Sequence, residues 1–406
     1  MPTVVIVGTL DTKGEEFALA RRLIEGHGCD SLMMDVGIGE PAHQMPDIAA
    51  DTVAVAAGSS LATLRSVGDR GAAMTAMAEG AVKLACELHA AGKLDAIFSL
   101  GGSGGSSIAT AAMRALPVGV PKLMVSTLAA GNVAPYVGTS DIMMMYPVID
   151  FAGLNVVSER IIANAAAAVA GMAQATGGPI VPTRPVVAIT MFGVTTPAAT
   201  VARAWLEKAG YEVLVFHANG AGGRTMEALM RDGIVRGVLD LTTTELADEL
   251  VGGALSAGPE RLEMAGQLGL PQVVSLGALD MVNFGSPETV PERFTGRRFY
   301  RHNPMVTLMR TTPEECAALG ALIAAKLNRA KGSVAVYVPS RGVSSIALPG
   351  GVFHDPAADS ALISSLTKEL DPRIDCVIED TDINNPDFAV AMAKRLHHLM
   401  RQGSAT

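Results

Sequence analysis

The sequence predicts an α/β protein of two Rossmann-like domains, each a mainly parallel sheet flanked by helices, with a cleft between them. Three observations predict it. Short apolar runs alternate with segments of helical spacing along the whole chain of 406 residues, the order that builds layered α/β folds. The runs, such as VVIVG from Val4 and LDAIFSL up to Leu100, are mostly apolar. Strands buried on both faces read this way, whereas half-exposed strands alternate. The pattern also restarts midway. Residues 186–220, VVAITMFGVTTPAATVARAWLEKAGYEVLVFHANG, repeat the strand, polar turn, helix and strand of residues 4–37, VVIVGTLDTKGEEFALARRLIEGHGCDSLMMDVG. The expected domains are 1–180 and 185–406.

The elements follow in order. Thr3–Gly8 is a strand, Gly14–Glu25 a helix and Ser31–Val36 a second strand. Gly71–Ala91 is a long helix and Ala96–Leu100 a strand. GGSGGSS at 101–107 is a loop and Ile108–Leu116 a helix. Leu123–Ser126 and Ile142–Tyr146 are short strands, and Asn155–Gln174 is an Ala-rich helix. TGGPIVPTRP at 176–185 holds three prolines and two glycines. Proline opposes regular helix, so this stretch is the linker. Further strands fall at Gly237–Leu241, Val273–Leu276, Val334–Val338 and Cys376–Ile378. TTPEE at 311–315 starts a helix running to about Arg329: Thr312 caps, Pro313 takes the first helical position and Glu315 completes a capping box. Pro386–Met400 is the last helix. Its adjacent His397 and His398 cannot share one face.

Composition narrows the function classes. The net charge of −9 argues against nucleic acid as a partner. The four cysteines, Cys29, Cys86, Cys316 and Cys376, form no CxxC pair and read as reduced thiols of a cytoplasmic protein. The strand at Val4 leaves no signal peptide at the start. The apolar tracts around Met143 and Ala165 read as too short or interrupted to span a bilayer, so no membrane partner is expected.

In open α/β sheets, ligands bind beyond the carboxyl ends of strands. GGSGGSS lies at such an end and opens a helix, where free N–H groups and the helix dipole favour an anion. Gly101, Gly102, Ser103, Gly104, Gly105 and Ser106 are therefore candidate phosphate contacts, with Ser107 as a further donor; the other reading is a flexible connector. TLDTKGEE at 9–16 leaves the first strand of the same sheet. There Asp11 is the candidate magnesium ligand, Thr12 a contact to a phosphate oxygen and Lys13 a phosphate counter-charge, unless Asp11 or Thr12 only caps the helix and Lys13 is solvated. The chain has no GxxxxGK[ST] and no GxGxxG after the first strand, so it has neither standard nucleotide fingerprint.

VGTLDTKGEE, SLGGSGGSS, GRRFYRHNP and TLMRT together resemble the family of the tomato mosaic virus resistance protein, through its ATP-binding amino-terminal domain. The resemblance runs in order from the first strand to the last helix. It implies two Rossmann-like subdomains, ATP with Mg2+ as cofactors, and a homo-oligomer, a dimer. It supplies no reaction.

The second domain carries further polar clusters. GALDMVNFG at 277–285 follows a strand and offers Asp280 and Asn283. GRRFYRHNP at 296–304 gathers Arg297, Arg298, Arg301, His302 and Asn303 in one short loop. Arginine grips carboxylate or phosphate with two parallel hydrogen bonds, and histidine exchanges protons near neutral pH. The expected roles are His302 and Asp280 as catalytic acid and base, and Asn283, Arg298, Arg301 and Arg341 as substrate contacts; a solvated basic loop is the alternative. His354, Asp355 and Asp359 read either as metal ligands or as a helix start at Asp355-Pro356. HANGAGGRTME at 217–227 is the counterpart of a phosphate loop, or a turn. G-x-S-x-G and HExxH are absent, which weighs against serine hydrolases and zinc peptidases. The leading expectation is a magnesium-dependent, ATP-binding enzyme acting on a small anionic metabolite in the cleft. The alternatives are a nucleotide sensor without turnover, and an enzyme of carbon–carbon or acyl chemistry that does not use ATP.

Overall fold

The computed structural model describes residues 1–40, 45–175 and 181–403. The chain divides into two compact units, Met1–Ile180 and Val181–Thr406. The linker expected at 176–185 lies outside the described residues up to 180.

The first unit runs β1 (Thr3–Gly8), α1 (Leu10–Gly26), β2 (Asp30–Asp35), α2 (Ala50–Ala56), α3 (Leu61–Val67), α4 (Arg70–Ala90), β3 (Ala96–Gly101), α5 (Ser103–Ala115), β4 (Lys122–Ser126), α6 (Ala134–Val137), β5 (Met143–Met145) and α7 (Val156–Ala175). All five strands are parallel, in the order β2-β1-β3-β4-β5. From β1 the chain first goes to one side, to β2, and later to the other, to β3. The carboxyl ends of β1 and β3 therefore flank a topological switch point. One sheet face packs on Phe17, Ile24, Ile162 and Val169 of α1 and α7. The other packs on Met77, Ala81 and Met113 of α4 and α5. α7 corrects one expectation: it is continuous over 20 residues with mean hydropathy 1.3, long and apolar enough to cross a membrane. Here it is a core helix, with Ile162, Ala166 and Ala170 buried on the sheet.

GGSGGSS is a helix start rather than a connector. Gly102 is the extended N-cap of α5, and the Ser106 N–H donates to the Gly102 carbonyl at 3.0 Å. The Ser106 hydroxyl is buried against that of Ser126 at 2.7 Å, which ties the first turn to β4. α1 likewise begins earlier than its spacing predicts, at Leu10, and is kinked at Lys13, whose φ of −136° is non-helical.

The second unit runs β6 (Val186–Met191), α8 (Thr196–Lys208), β7 (Glu212–His217), α9 (Ala221–Arg231), β8 (Val235–Thr242), α10 (Glu245–Val251), α11 (Met264–Gln267), β9 (Gln272–Gly277), β10 (Met281–Phe284), β11 (Phe299–Asn303), β12 (Val306–Arg310), α12 (Pro313–Leu327), β13 (Val334–Pro339), α13 (Pro356–Glu369), β14 (Asp375–Glu379) and α14 (Pro386–Gly403). Its parallel sheet has the order β14-β13-β9-β8-β6-β7. Read from β7, this is the order of the first unit with β14 added, so the repeat seen in the sequence is a repeat of topology. β10, β12 and β11 form a separate antiparallel sheet. α12 begins with the expected capping box: Thr312 Oγ1 accepts the Glu315 N–H at 3.2 Å and Glu315 Oε2 accepts the Thr312 N–H at 2.8 Å.

The switch point of this second sheet is closed by the protein itself. Thr195 and Thr242 hydroxyls bond at 2.7 Å across the ends of β6 and β8. Behind them Arg261 is fully buried, with Nη1 2.5 Å from Asp240 and Nε 2.6 Å from Glu245. Glu245 Oε1 accepts the N–H groups of Gly220, at 2.7 Å, and Gly223, at 3.1 Å. The amino end of α9 is thus capped by an internal carboxylate. A Cβ on Gly223 would lie 2.7 Å from Arg261 Nε, so HANGAGG is a braced turn and leaves no room there for a phosphate. Removing one partner of a buried ion pair strands the other charge and costs about 3–5 kcal/mol. Glu245→Ala is expected to lose stability on that scale, read as a lower urea midpoint at unchanged slope.

Candidate functional site

The largest convergence of polar turns in the first unit is at its open switch point. A cavity of about 610 Å³ lies there, lined by the turn after β1 (Thr9, Asp11, Thr12, Lys13), the turn after β2 (Val36, Gly37, Ile38) and the start of α5 (Gly102, Ser103, Gly104, Gly105). Its far wall comes from the α3–α4 region, including Leu64, Arg65, Asp69, Arg70, Met74 and Met77. The N–H groups of Ser103, Gly104 and Gly105 precede the first helical hydrogen bond of α5, so they are free of helical partners.

Each expected residue has a defined place here. Asp11 Oδ2 accepts the Gly39 N–H at 2.9 Å, while its buried Oδ1 has no hydrogen-bond partner. A Cβ on Gly37 or Gly39 would come within 2.6 Å or 2.8 Å of this carboxylate, so DVGIG needs its glycines to let Asp11 in. Thr12 Oγ1 bonds Thr9 Oγ1 at 3.0 Å. Lys13 Nζ donates to the Phe151 carbonyl at 2.6 Å, and its Cε lies 3.9 Å from where a Cβ on Gly101 would stand. An ammonium has three donors, so two remain. Gly101 is buried at the strand end. Ser106 faces inward, bonded to Ser126, whereas half-buried Ser107 donates to the Ser103 carbonyl one turn back at 3.0 Å.

Sequence reasoning missed the third turn and the far wall. Gly37 and Gly39 carried a readable signal, a glycine pair at the end of β2. Arg70 carried none, because α3 and α4 approach the site from distant sequence. Arg70 Nη2 lies 3.7 Å from where a Cβ on Gly104 would stand, and it has no ion pair or hydrogen bond among the described residues. Asp35, at the end of β2, has its carboxyl pushed up by burial, against hydrogen bonds from Gly37 and Leu10.

The residues singled out in the second unit do not converge. GRRFYRHNP is largely strand β11, not a loop. Arg297 forks onto Glu315 at 2.9 and 2.7 Å, Arg298 donates to the His354 carbonyl at 3.1 Å, and Arg301 and His302 are exposed. Asp280 immediately precedes β10, at the end where Met281 pairs with Arg310, whereas His302 flanks the pairings with Thr307 and Val306. That is about 10 Å along the strand, with two inter-strand steps of about 4.8 Å besides. The expected acid–base pair is not formed. Asp280 is 1% exposed and accepts the Ser344 hydroxyl at 2.7 Å; burial raises its pKa to about 6, against the pull of Arg310. Asn283 is buried and donates to Asp248 at 2.6 Å, which removes it from any open substrate site. Arg341 pairs with Asp380, with Nε at 2.6 Å.

Arg341, His354 and Asp359 do share a smaller cavity, of about 470 Å³, at the end of β13. They are not arranged as metal ligands. Asp355 caps α13, Asp359 accepts from Arg310 at 2.6 Å, and His354 Nδ1 lies 3.1 Å from the Ala347 carbonyl. Among the described residues no group of three metal-binding side chains is present.

Comparison with known proteins gives a consistent relationship. The model of the uncharacterised protein family UPF0261 N-terminal domain matches residues 2–177, and that of its C-terminal domain matches 184–400. A UPF0261 protein of Clostridium tetani is 49% identical over 400 residues, 98% of this chain and 99% of that protein. The ToMV resistance protein Tm-1 of Solanum lycopersicum is 44% identical over 306 residues, 74% of this chain but 41% of the plant protein. Among solved structures, a putative UDP-N-acetylglucosamine 2-epimerase from Listeria monocytogenes is 14% identical, with 92% of this chain and 98% of that chain covered and a TM-score of 0.24. That score carries no argument about function.

Asp280 generates a pH test. Its folded pKa lies above that of an unfolded aspartate, near 3.9, so its protonated form favours the fold and this contribution is lost as pH rises through about 6. Asp280→Asn lacks that loss. Its melting temperature relative to the parent protein is expected to rise between about pH 4.5 and about pH 7.5; a constant difference would show that Asp280 is ionised in the fold throughout this range.

Proposed function

The chain belongs to the uncharacterised protein family UPF0261, and from that premise we propose that it is a nucleotide-binding protein whose first unit holds ATP. The observation that carries this reading is the meeting of the Asp11–Lys13 turn and the Gly102–Gly105 turn on one cavity at a switch point. Phosphates rest on the amino end of α5, where N–H groups and the helix dipole attract them. Lys13 and Arg70 supply cationic charge from two sides. Ile38, Leu64, Met74 and Ile108 give the cavity an apolar wall for the flat face of a base. The volume falls inside the usual range for small-molecule sites, about 300–1,000 Å³.

Asp11 argues for a cation in the complex. A carboxylate beside phosphates is repelled unless a cation stands between them, and Asp11 Oδ1 has no partner within the protein. Magnesium is commonly held by one or two carboxylates together with substrate phosphates, which fits Asp11 here; of the other lining carboxylates, Asp69 caps α4 and Asp150 accepts the Phe151 N–H. It would neutralise phosphate charge. Thr12 stands next to Asp11 to position a phosphate oxygen. The reading assigns no chemical step to His302 or Asp280, which the fold keeps apart.

Two variants test it by calorimetric titration of the whole protein. A Cβ on Gly104 would meet only the flexible ends of Met74 and Arg70, at 3.5 and 3.7 Å, so Gly104→Val is expected to fold normally and to abolish ATP binding by filling the phosphate subsite. Lys13→Ala is expected to weaken ATP by about tenfold, the worth of one charge-assisted hydrogen bond, and to leave adenosine unchanged. Full ATP affinity in folded Gly104→Val sinks the phosphate assignment. Equal losses for ATP and adenosine in Lys13→Ala would make Lys13 a packing residue.

A further inference from the structure

The second unit has a groove that the nucleotide reading does not use. At the amino ends of β6, β8, β9 and β13, a concavity of about 1240 Å³ is lined by residues 181–186 and by the turns at Gly233, Gly269 and Gly332. Four cations line it, Arg184, Arg236, Lys331 and Arg401, and no Asp or Glu does. All four side chains are exposed. Among the described residues, none of their charged groups has an ion pair or hydrogen bond.

Elsewhere in this molecule several arginines are paired. Arg261, Arg297, Arg310, Arg341 and Arg373 each lie against a carboxylate. The chain carries 40 acidic against 31 basic residues, so carboxylates are the commoner neighbours, yet none faces this groove. Four like charges around one concavity repel each other and raise the local concentration of anions. Three of the four are arginines, whose planar forks match phosphate and carboxylate oxygens in pairs. A single-charge anion would satisfy one fork and leave the rest.

We propose that this groove binds a small anion of the di- or polyphosphate class, separately from the nucleotide site of the first unit. Arg184 before β6, Arg236 at the start of β8, Lys331 in the turn before β13 and Arg401 on α14 grip adjacent phosphates, and the remaining volume admits an organic group attached to them. The proposal stands on the groove's own residues and survives or fails independently of Gly104 and Lys13.

Pyrophosphate is the probe, titrated calorimetrically into the full chain, the Arg236→Gln/Arg401→Gln variant, and each of these combined with Gly104→Val. All the groove substitutions are at exposed positions, so unchanged circular dichroism melts are expected; Arg184→Gln/Lys331→Gln serves as a second pair should the first unfold. The expected result is pyrophosphate binding that persists in Gly104→Val, falls about tenfold or more in the paired variant, and weakens with added salt. Inorganic phosphate is expected to bind more weakly than pyrophosphate. No pyrophosphate binding in Gly104→Val, or an isotherm unmoved by the paired substitution, would make these cations a solvated face and overturn the proposal. Equal affinity for phosphate and pyrophosphate would overturn the assignment to multiply charged anions.

Discussion

Both units depend on one constraint of parallel sheets. When a chain leaves a central strand for a neighbour on one side and later for a neighbour on the other, the two connecting helices go to opposite faces, and a gap opens between the two strand ends. The backbone N–H groups beginning the next helices point toward that gap, so it attracts negative charge. The protein has solved this twice in different ways. In the second unit, Thr195 and Thr242 bridge the gap, and Glu245, held by Arg261, supplies the anion from within. In the first unit, small residues at Gly102–Gly105 and at Gly37 leave the gap open. The same strand order thus produces a sealed core in one half and a receptive cavity in the other.

The fold was largely legible in the sequence because it depends on periodicity. The apolar strands β1, β3, β9 and β13 fall close to their expected bounds, since a strand buried on both faces needs no partner to be recognised. The start of α5 was less legible. Glycine and serine have weak helix propensity, and only the tertiary bond between Ser106 and Ser126 shows why this stretch is a helical turn. The small antiparallel sheet was invisible for a different reason. β10, β11 and β12 are short, and although β11 and β12 form a tight hairpin, β10 joins them from across a gap in sequence.

Site legibility followed the same division. Asp11, Lys13 and Gly102–Gly105 lie directly after strands, so their positions follow from the strands themselves. Arg70 comes from a helix whose approach depends on packing against α5. In the second unit, closeness in sequence proved a poor guide to closeness in space. Arg297, Arg298, Arg301 and His302 are neighbours in the chain, but the first two precede β11, and along the strand successive side chains turn to opposite faces. Arg297 ends on Glu315 and Arg298 on the His354 carbonyl, while His302 stays exposed. Asp280, just before β10, and Asn283 within it are both buried.

That small sheet gives the basic cluster another meaning. β11 is an edge strand, and an edge presents unpaired N–H and C=O groups to any extended chain that meets it. The strand carries Phe299, and Met305 in the turn beyond it is 70% exposed. An edge with those side chains would be adhesive if the rest of it were neutral. Arg301 and His302 stand on it, and the register slips between Arg301 and Asn303, which breaks the straight ladder a second strand would need. Charge and irregularity together make the edge a poor template. Arg301 and His302, which read as site residues in the sequence, instead stand on an exposed sheet edge, where charge disfavours pairing with a further strand.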